Sequence, residues 1–118
     1  MARLTVAVDF DGVLHSYTSP WISAEIIPDP PVPGAIEWLN ALVKEFTVYI
    51  HTTRADTVAG SLAVAHWLFE SGYDGPPLEV TNQKRPAVIY VDDRGWRFTG
   101  ANFPTPTEIR NAKPWNKS

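Results

Sequence analysis

The 118-residue sequence has no cysteine. Disulfides and thiolate metal sites are therefore excluded, and any metal must be held by oxygen or imidazole donors. Long apolar runs are also missing. None approaches the ~20 residues of a membrane helix, so no membrane contact is expected. Basic charge is not in excess: 13 acidic residues face 10 basic ones, for a formal charge of −3. That balance argues against strong non-specific nucleic-acid binding, while leaving room for a small local basic rim. There is no internal repeat, low-complexity tract or linker, so one domain over residues 1–118 is expected. No secretory leader is read, because the first apolar stretch, Leu4 to Val8, is short and runs straight into Asp9. A cytoplasmic setting is expected. The chain is 44% hydrophobic and 19% charged, a mix that can bury a core without covalent staples.

What is present alternates strand and helix. Leu4 to Val8 is a β-branched, apolar run that reads as a buried strand ending at Asp9. Residues 15–33 are rich in proline and read as loop. Pro33-Gly34 opens a helical pattern from about Ala35 to Glu45, with Ile36, Leu39, Leu42 and Val43 as its apolar stripe. Phe46 to His51 is a second strand. A helix from about Thr57 to Ser71 follows, with Asp56 as its N-cap and Gly72 as its stop. Leu78 to Val80 and Ala87 to Val91 are further strands, and Trp96 to Phe98 is expected to extend the sheet. Thr105 to Glu108 spells a capping box for a short helix to about Ala112. The tail, residues 113–118, is expected to fray. Such alternation implies an α/β domain: a Rossmann-like, three-layer α/β/α arrangement around a mainly parallel sheet. Ligands in such sheets sit beyond the carboxyl ends of the strands.

The chemistry-bearing residues fall at those ends. In Asp9-Phe10-Asp11-Gly12, side chains two apart on extended chain point the same way, so two carboxylates meet. Asp92-Asp93 ends a later strand, and its convergence on the first pair would crowd one site with like charge. Such crowding is costly without protons or a cation, and an all-oxygen donor set suits Mg²⁺. Thr52, with Thr53 after it, ends the second strand, where a hydroxyl and free N–H groups can hold phosphate oxygens. Lys84 precedes Asp92 by eight residues and can neutralise both a phosphate and an aspartate.

In order and spacing these elements resemble the haloacid dehalogenase superfamily of phosphatases, over nearly the whole chain. Val8-Asp9-Phe10-Asp11-Gly12-Val13-Leu14 is similar to its first motif, Thr52 to the second, Lys84 to the third and Asp92-Asp93 to the fourth. Tyr90 to Gly95 with Phe98 also resembles small phage and bacterial members. The resemblance implies a Mg²⁺-dependent phosphomonoester hydrolase. Asp9 would be the nucleophile that forms an aspartyl-phosphate, and Asp11 the general acid and base. Thr52, Thr53 and Lys84 would bind phosphate. The metal would be held by Asp9, Asp11 through its carbonyl, and Asp93, with Asp92 in support. The spacings Asp9 to Thr52 and Thr52 to Lys84 leave no space for the large cap domain of many relatives.

Substrate selection then falls to residues 13–33, the segment after Arg54, and the Arg94 region. Arg54 is the preferred rim cation and Trp21 the preferred stacking platform, with Tyr17 beside it, which suits a small phosphorylated substrate such as a nucleotide. His15, His51 and His66 lack metal-site spacing and read as structural or surface residues. Trp38 and Trp67 read as packing residues. Two other classes stay open. One is an enzyme acting on phosphorylated nucleic-acid ends. The other is a non-catalytic or receiver-like phosphate-binding domain: the presence of all the expected site residues stands against a non-catalytic domain, and the lack of an aspartate at the end of the second strand stands against a receiver.

Overall fold

A computed structural model describes residues 3–116. Four strands form one sheet: β1 (Thr5–Asp9), β2 (Thr47–His51), β3 (Glu79–Thr81) and β4 (Ile89–Val91), in the order β3-β2-β1-β4. Every pairing is parallel. Three helices connect or follow them: α1 (Ala35–Leu42), α2 (Val58–Glu70) and α3 (Pro106–Asn111). The result is a mixed α/β fold. Among the described residues no helix is long and apolar enough to cross a membrane.

The core explains why β1 and β2 are central. Val6 and Val8 of β1, with Val48 and Ile50 of β2, are buried alongside Leu39 of α1 and Val64 and Leu68 of α2. Apolar surface removed from water at both central strands is what holds the layers together. Register then fixes the site. Asp9 pairs with His51, His51 with Thr81, and Val8 with Val91. Parallel strands in this register end on one side, so Asp9, Thr52 and Asp92 leave the sheet along a common rim.

Several local expectations are corrected. Helix α1 stops at Leu42, and residues 43–45 form turns instead of a further helical turn. Asp56 is not the cap of α2. It closes a 3-10 turn, Thr53–Asp56, and Thr57 caps α2 by accepting the Gly60 N–H at 3.0 Å. Gly60 is required there, since a Cβ would lie 1.8 Å from the Arg54 carbonyl oxygen. Trp96 to Phe98 does not extend the sheet. Asp92 accepts the N–H groups of Arg94 and Gly95, which turns the chain away from β4. Asn102 then ties a loop by accepting the Thr99 N–H and donating to the Arg97 carbonyl. β4 is consequently an edge strand, with Val88 and Ile89 exposed. Over its described length the tail is placed against the turn that follows β1. The Trp115 indole N–H donates to the Gly12 carbonyl at 2.7 Å, and the Asn116 amide donates to the carbonyls of Ser16 and Tyr17. Residues 117 and 118 of the tail expected to fray lie outside the described residues.

Candidate functional site

A cleft of about 490 Å³ opens at the carboxyl ends of the strands. Asp9, Asp11, Asp92 and Asp93 all line it, together with Thr52, Thr53 and Lys84. Tyr17 and Trp21 reach it from the loop between β1 and α1. Residues far apart in sequence thus meet in the crevice where the sheet topology leads.

The turn after β1 sets the first aspartates. The Phe10 carbonyl accepts the N–H groups of Val13, Leu14 and His15, curling the chain back on itself. Gly12 sits at φ 85°, in the left-handed region that disfavours side chains. A Cβ at Gly12 would lie 2.2 Å from Oδ2 of Asp93. Glycine is therefore what lets Asp93 approach the turn that carries Asp11. Asp9 accepts the Phe10 N–H at 2.8 Å. Burial first, and then the negative charges of Asp93, Asp11 and Asp92, push the Asp9 carboxyl up to about 7 against the lowering effect of the Phe10 N–H. Four acidic groups so close to one another favour a proton or a cation among them.

Asp11 is built differently. Burial alone would raise its pKa, but hydrogen bonds from His15 and Arg54 outweigh it and hold the carboxyl below its ordinary value. Arg54 Nε reaches both Asp11 oxygens, at 3.2 and 3.0 Å, and Nη2 reaches Oδ1 at 3.1 Å. Nη1 of the same guanidinium binds the carbonyls of Ser23, Ala24 and Ile26. Arg54 is only 1% exposed. It is therefore not the rim cation expected from its neighbourhood to Thr52. Its charge is committed to Asp11, and its donors fasten the loop that overhangs the cleft. Trp21 lies over that guanidinium, 4.5 Å from ring centroid to the Arg54 carbon, while remaining half-exposed at the cleft.

The other strand ends supply the rest. Thr52 is buried, and its hydroxyl accepts the Arg54 N–H at 3.1 Å while its own N–H donates to the Thr81 carbonyl. Thr53 follows, exposed, at the start of the 3-10 turn. Lys84 is exposed with its ammonium 4.6 Å from the Tyr90 ring centroid. Its loop is anchored one residue on: the Tyr49 hydroxyl accepts the Arg85 N–H, and Tyr90 donates to the Arg85 carbonyl. Asp92 is occupied in its turn, whereas Asp93 faces Gly12.

Among the described residues no three His, Cys, Asp or Glu side chains form a ready metal cluster. The donor set still fits a hard cation. Mg²⁺ is commonly held by one or two carboxylates, with waters and substrate oxygens completing the shell. The close approach of Asp93 to Gly12, which any Cβ would block, provides that kind of open oxygen-lined cradle.

Sequence reasoning missed three things. His15, read as structural or surface, is structural and fully buried, and its bond to Asp11 is the part left unread; its place four residues after Asp11, across a glycine turn, was the available signal. The tyrosine anchors of the Lys84 loop depend on cross-strand register and left no local trace. The return of Trp115 to Gly12 was signalled only by a tryptophan in an otherwise polar tail. No family model, curated protein or solved structure matches the chain.

Proposed function

We propose that this chain is a Mg²⁺-dependent phosphomonoester hydrolase that works through an aspartyl-phosphate on Asp9, a small capless protein of haloacid dehalogenase type. The observation that carries this reading is the convergence of both aspartate pairs with Thr52 and Lys84 on one strand-end cleft. The three-layer arrangement and a cytoplasmic setting belong to the same reading. So does the absence of a large cap: between β1 and β2 lie only a tied loop and α1, and between β2 and β3 only a 3-10 turn, α2 and connections.

In this reading the Asp9 carboxylate attacks phosphorus, and Asp11 gives a proton to the leaving oxygen. Asp11 then takes a proton from the water that hydrolyses the acyl phosphate. Its depressed pKa suits the second half directly, and an arriving phosphate dianion raises its proton affinity for the first half. Thr52, Thr53 and Lys84 hold the phosphoryl oxygens. The Asp9 carboxylate, the Asp11 carbonyl and Asp93 would hold Mg²⁺, with Asp92 supporting through its turn. Bound there, the cation offsets repulsion between an anionic nucleophile and an anionic substrate. Tyr17 and Trp21 at the same cleft favour a nucleotide as the small substrate.

The test is hydrolysis of an aryl phosphate with Mg²⁺, lost on chelation and restored by added Mg²⁺. A panel of nucleoside monophosphates, sugar phosphates and end-phosphorylated oligonucleotides then ranks substrate classes. No phosphate release from any member, with Mg²⁺ binding intact, would replace the hydrolase reading with a phosphate-binding domain.

A further inference from the structure

His15 is a fully buried imidazole with both nitrogens engaged. Nδ1 lies 2.8 Å from Oδ1 of Asp11, and Nε2 accepts the backbone N–H of Asp29 at 3.1 Å. A nitrogen that accepts an N–H carries no proton of its own, so the ring proton is on Nδ1 and is donated to Asp11. The ring is fixed on its other sides. It stacks on Phe10 at 5.6 Å and meets the edge of Trp67 at 5.6 Å. The Trp67 indole N–H donates in turn to the Asp29 carbonyl, so the residue that fixes the tautomer is itself held.

The two oxygens of Asp11 are thereby made unequal. Oδ1 lies within hydrogen-bond reach of three donors: His15 Nδ1, Arg54 Nε and Arg54 Nη2. Among the described residues, Oδ2 is reached by Arg54 Nε alone. A carboxylate oxygen with three donors around it has no lone pair left for a substrate or a water, whereas an oxygen with one donor does. We propose that His15 and Arg54 are positioning residues that saturate Oδ1 of Asp11 and assign its proton transfers to Oδ2. This rests on the hydrolase reading of the site. The Oδ2–H bond breaks and its proton goes to the leaving oxygen as that oxygen separates from phosphorus and Asp9 bonds to it. Oδ2 then takes a proton from the water whose oxygen attacks phosphorus and frees Asp9, which restores the starting state.

The geometry gives a test that separates positioning from packing. Asparagine places its amide nitrogen where Nδ1 lies and can still donate to Asp11. Glutamine reaches the Nε2 position and can serve Asp29 but not Asp11. Protonation by Asp11 matters most for a poor leaving group, because a nitrophenolate departs without a proton and an alkoxide does not. His15→Gln is expected to lower kcat/KM, which reports the steps up to formation of the aspartyl-phosphate, by on the order of 10²-fold for an alkyl phosphate and by less than about threefold for nitrophenyl phosphate, while the hydrolysis step common to both esters slows equally in kcat. His15→Asn should restore most of the alkyl phosphate rate. The reverse ranking in kcat/KM, or equal losses of kcat/KM on both esters, overturns the proposal and leaves His15 as a packing residue.

Nitrogen NMR of the wild-type imidazole gives a second reading that needs neither variant folding nor activity. One slowly exchanging ring proton, on Nδ1, supports the clamp. A proton on Nε2 overturns it. Should the wild-type protein release no phosphate, the hydrolase reading falls while the spectrum still decides the clamp.

Discussion

The four aspartates come from two strand ends built in opposite ways. At the end of β1, Asp9 and Asp11 lie beside the buried core, and the chain around them is tied from four directions. Phe10, Arg54, His15 and the returning Trp115 each contribute a hydrogen bond to residues 9–12. At the end of β4, Asp92 and Asp93 follow a three-residue edge strand with exposed flanks. Asp92 caps its own turn, and Asp93 meets the first motif across the gap left by Gly12. One end is preorganised, and the other is positioned mainly by local turn chemistry. In the proposed reading, charge is brought to a tightly tied Asp9 by a more loosely held partner, and a cation would draw the second pair in without disturbing the first.

The comparison can be broken most decisively at Asp9. Asp9→Asn keeps the shape and removes the proposed nucleophile, and it should lower kcat by on the order of 10³-fold or more. The melting temperature at pH 8 should not fall, because a buried charge surrounded by like charges has been removed. Retained turnover in steady-state assays would show that the rigid strand end does not supply the attacking group.

The second strand end is tested by its two residues. Asn at position 92 can still accept the N–H groups of Arg94 and Gly95, so Asp92→Asn should keep the turn. Asp93→Asn should weaken Mg²⁺ binding about tenfold or more, which reduces the Mg²⁺-induced stabilisation by about 1.4 kcal/mol. Thermal melts across a Mg²⁺ titration read both variants. A larger loss in Asp92→Asn would mean that the pliable end presents the other carboxylate to the metal.

A pH effect separates the two aspartates of the first pair. The Asp9 carboxyl sits at about 7 when folded, raised by burial first and then by its acidic neighbours, against an ordinary value of 3.8. Between those two values the folded protein holds a proton that the unfolded chain has released. Without metal, stability should therefore fall as pH rises from about 4 to about 7, by roughly 4 kcal/mol at most. Asp11 is shifted the other way, so its contribution is lost only as pH drops below the ordinary carboxylate range. Melts from pH 4 to 8 in EDTA should show the decline, and either saturating Mg²⁺ or Asp9→Asn should flatten it. A flat profile in the metal-free wild-type protein would contradict the burial and crowding that raise Asp9.

The same contrast explains what could be read from sequence. β1, β2 and their aspartate, threonine and glycine ends were legible because buried parallel strands are continuous apolar runs and Asp-x-Asp places two carboxylates on one side. The sheet beyond β4 was misread. Trp96-Arg97-Phe98 has strand propensity, but Asp92 diverts the chain by capping the two N–H groups before it, and short-range turn chemistry wins. Arg54 was placed at the rim because its neighbour Thr52 faces the cleft. Its burial depends on three carbonyls of a proline-flanked loop some 30 positions earlier, a contact with no local signature. Asp29 was likewise unremarkable in sequence. In the fold it accepts the Ser19 N–H and hydroxyl, and these bonds hold its carboxyl low against the raising effect of burial.

The smallest expected effect concerns the tail, and it sharpens the contrast from the side of the rigid end. Trp115 donates its indole N–H to the Gly12 carbonyl at 2.7 Å, and Asn116 reaches the carbonyls of Ser16 and Tyr17. These bonds span about a hundred residues and close on the turn that carries Asp11. Trp115→Phe removes the donor while keeping an aromatic ring. One such hydrogen bond contributes about 1 kcal/mol, which for a domain of this size is a shift of a few degrees in Tm. The effect should be local. Amide exchange should quicken at residues 12–17 and stay unchanged at residues 92–95, because no bond from Trp115 or Asn116 to that second turn accompanies those to the first. Truncation after Pro114 removes all three bonds and should enlarge the effect without changing its location. Faster exchange at both turns would mean that the two strand ends are mechanically coupled, and that the division between a rigid and a pliable pair does not hold.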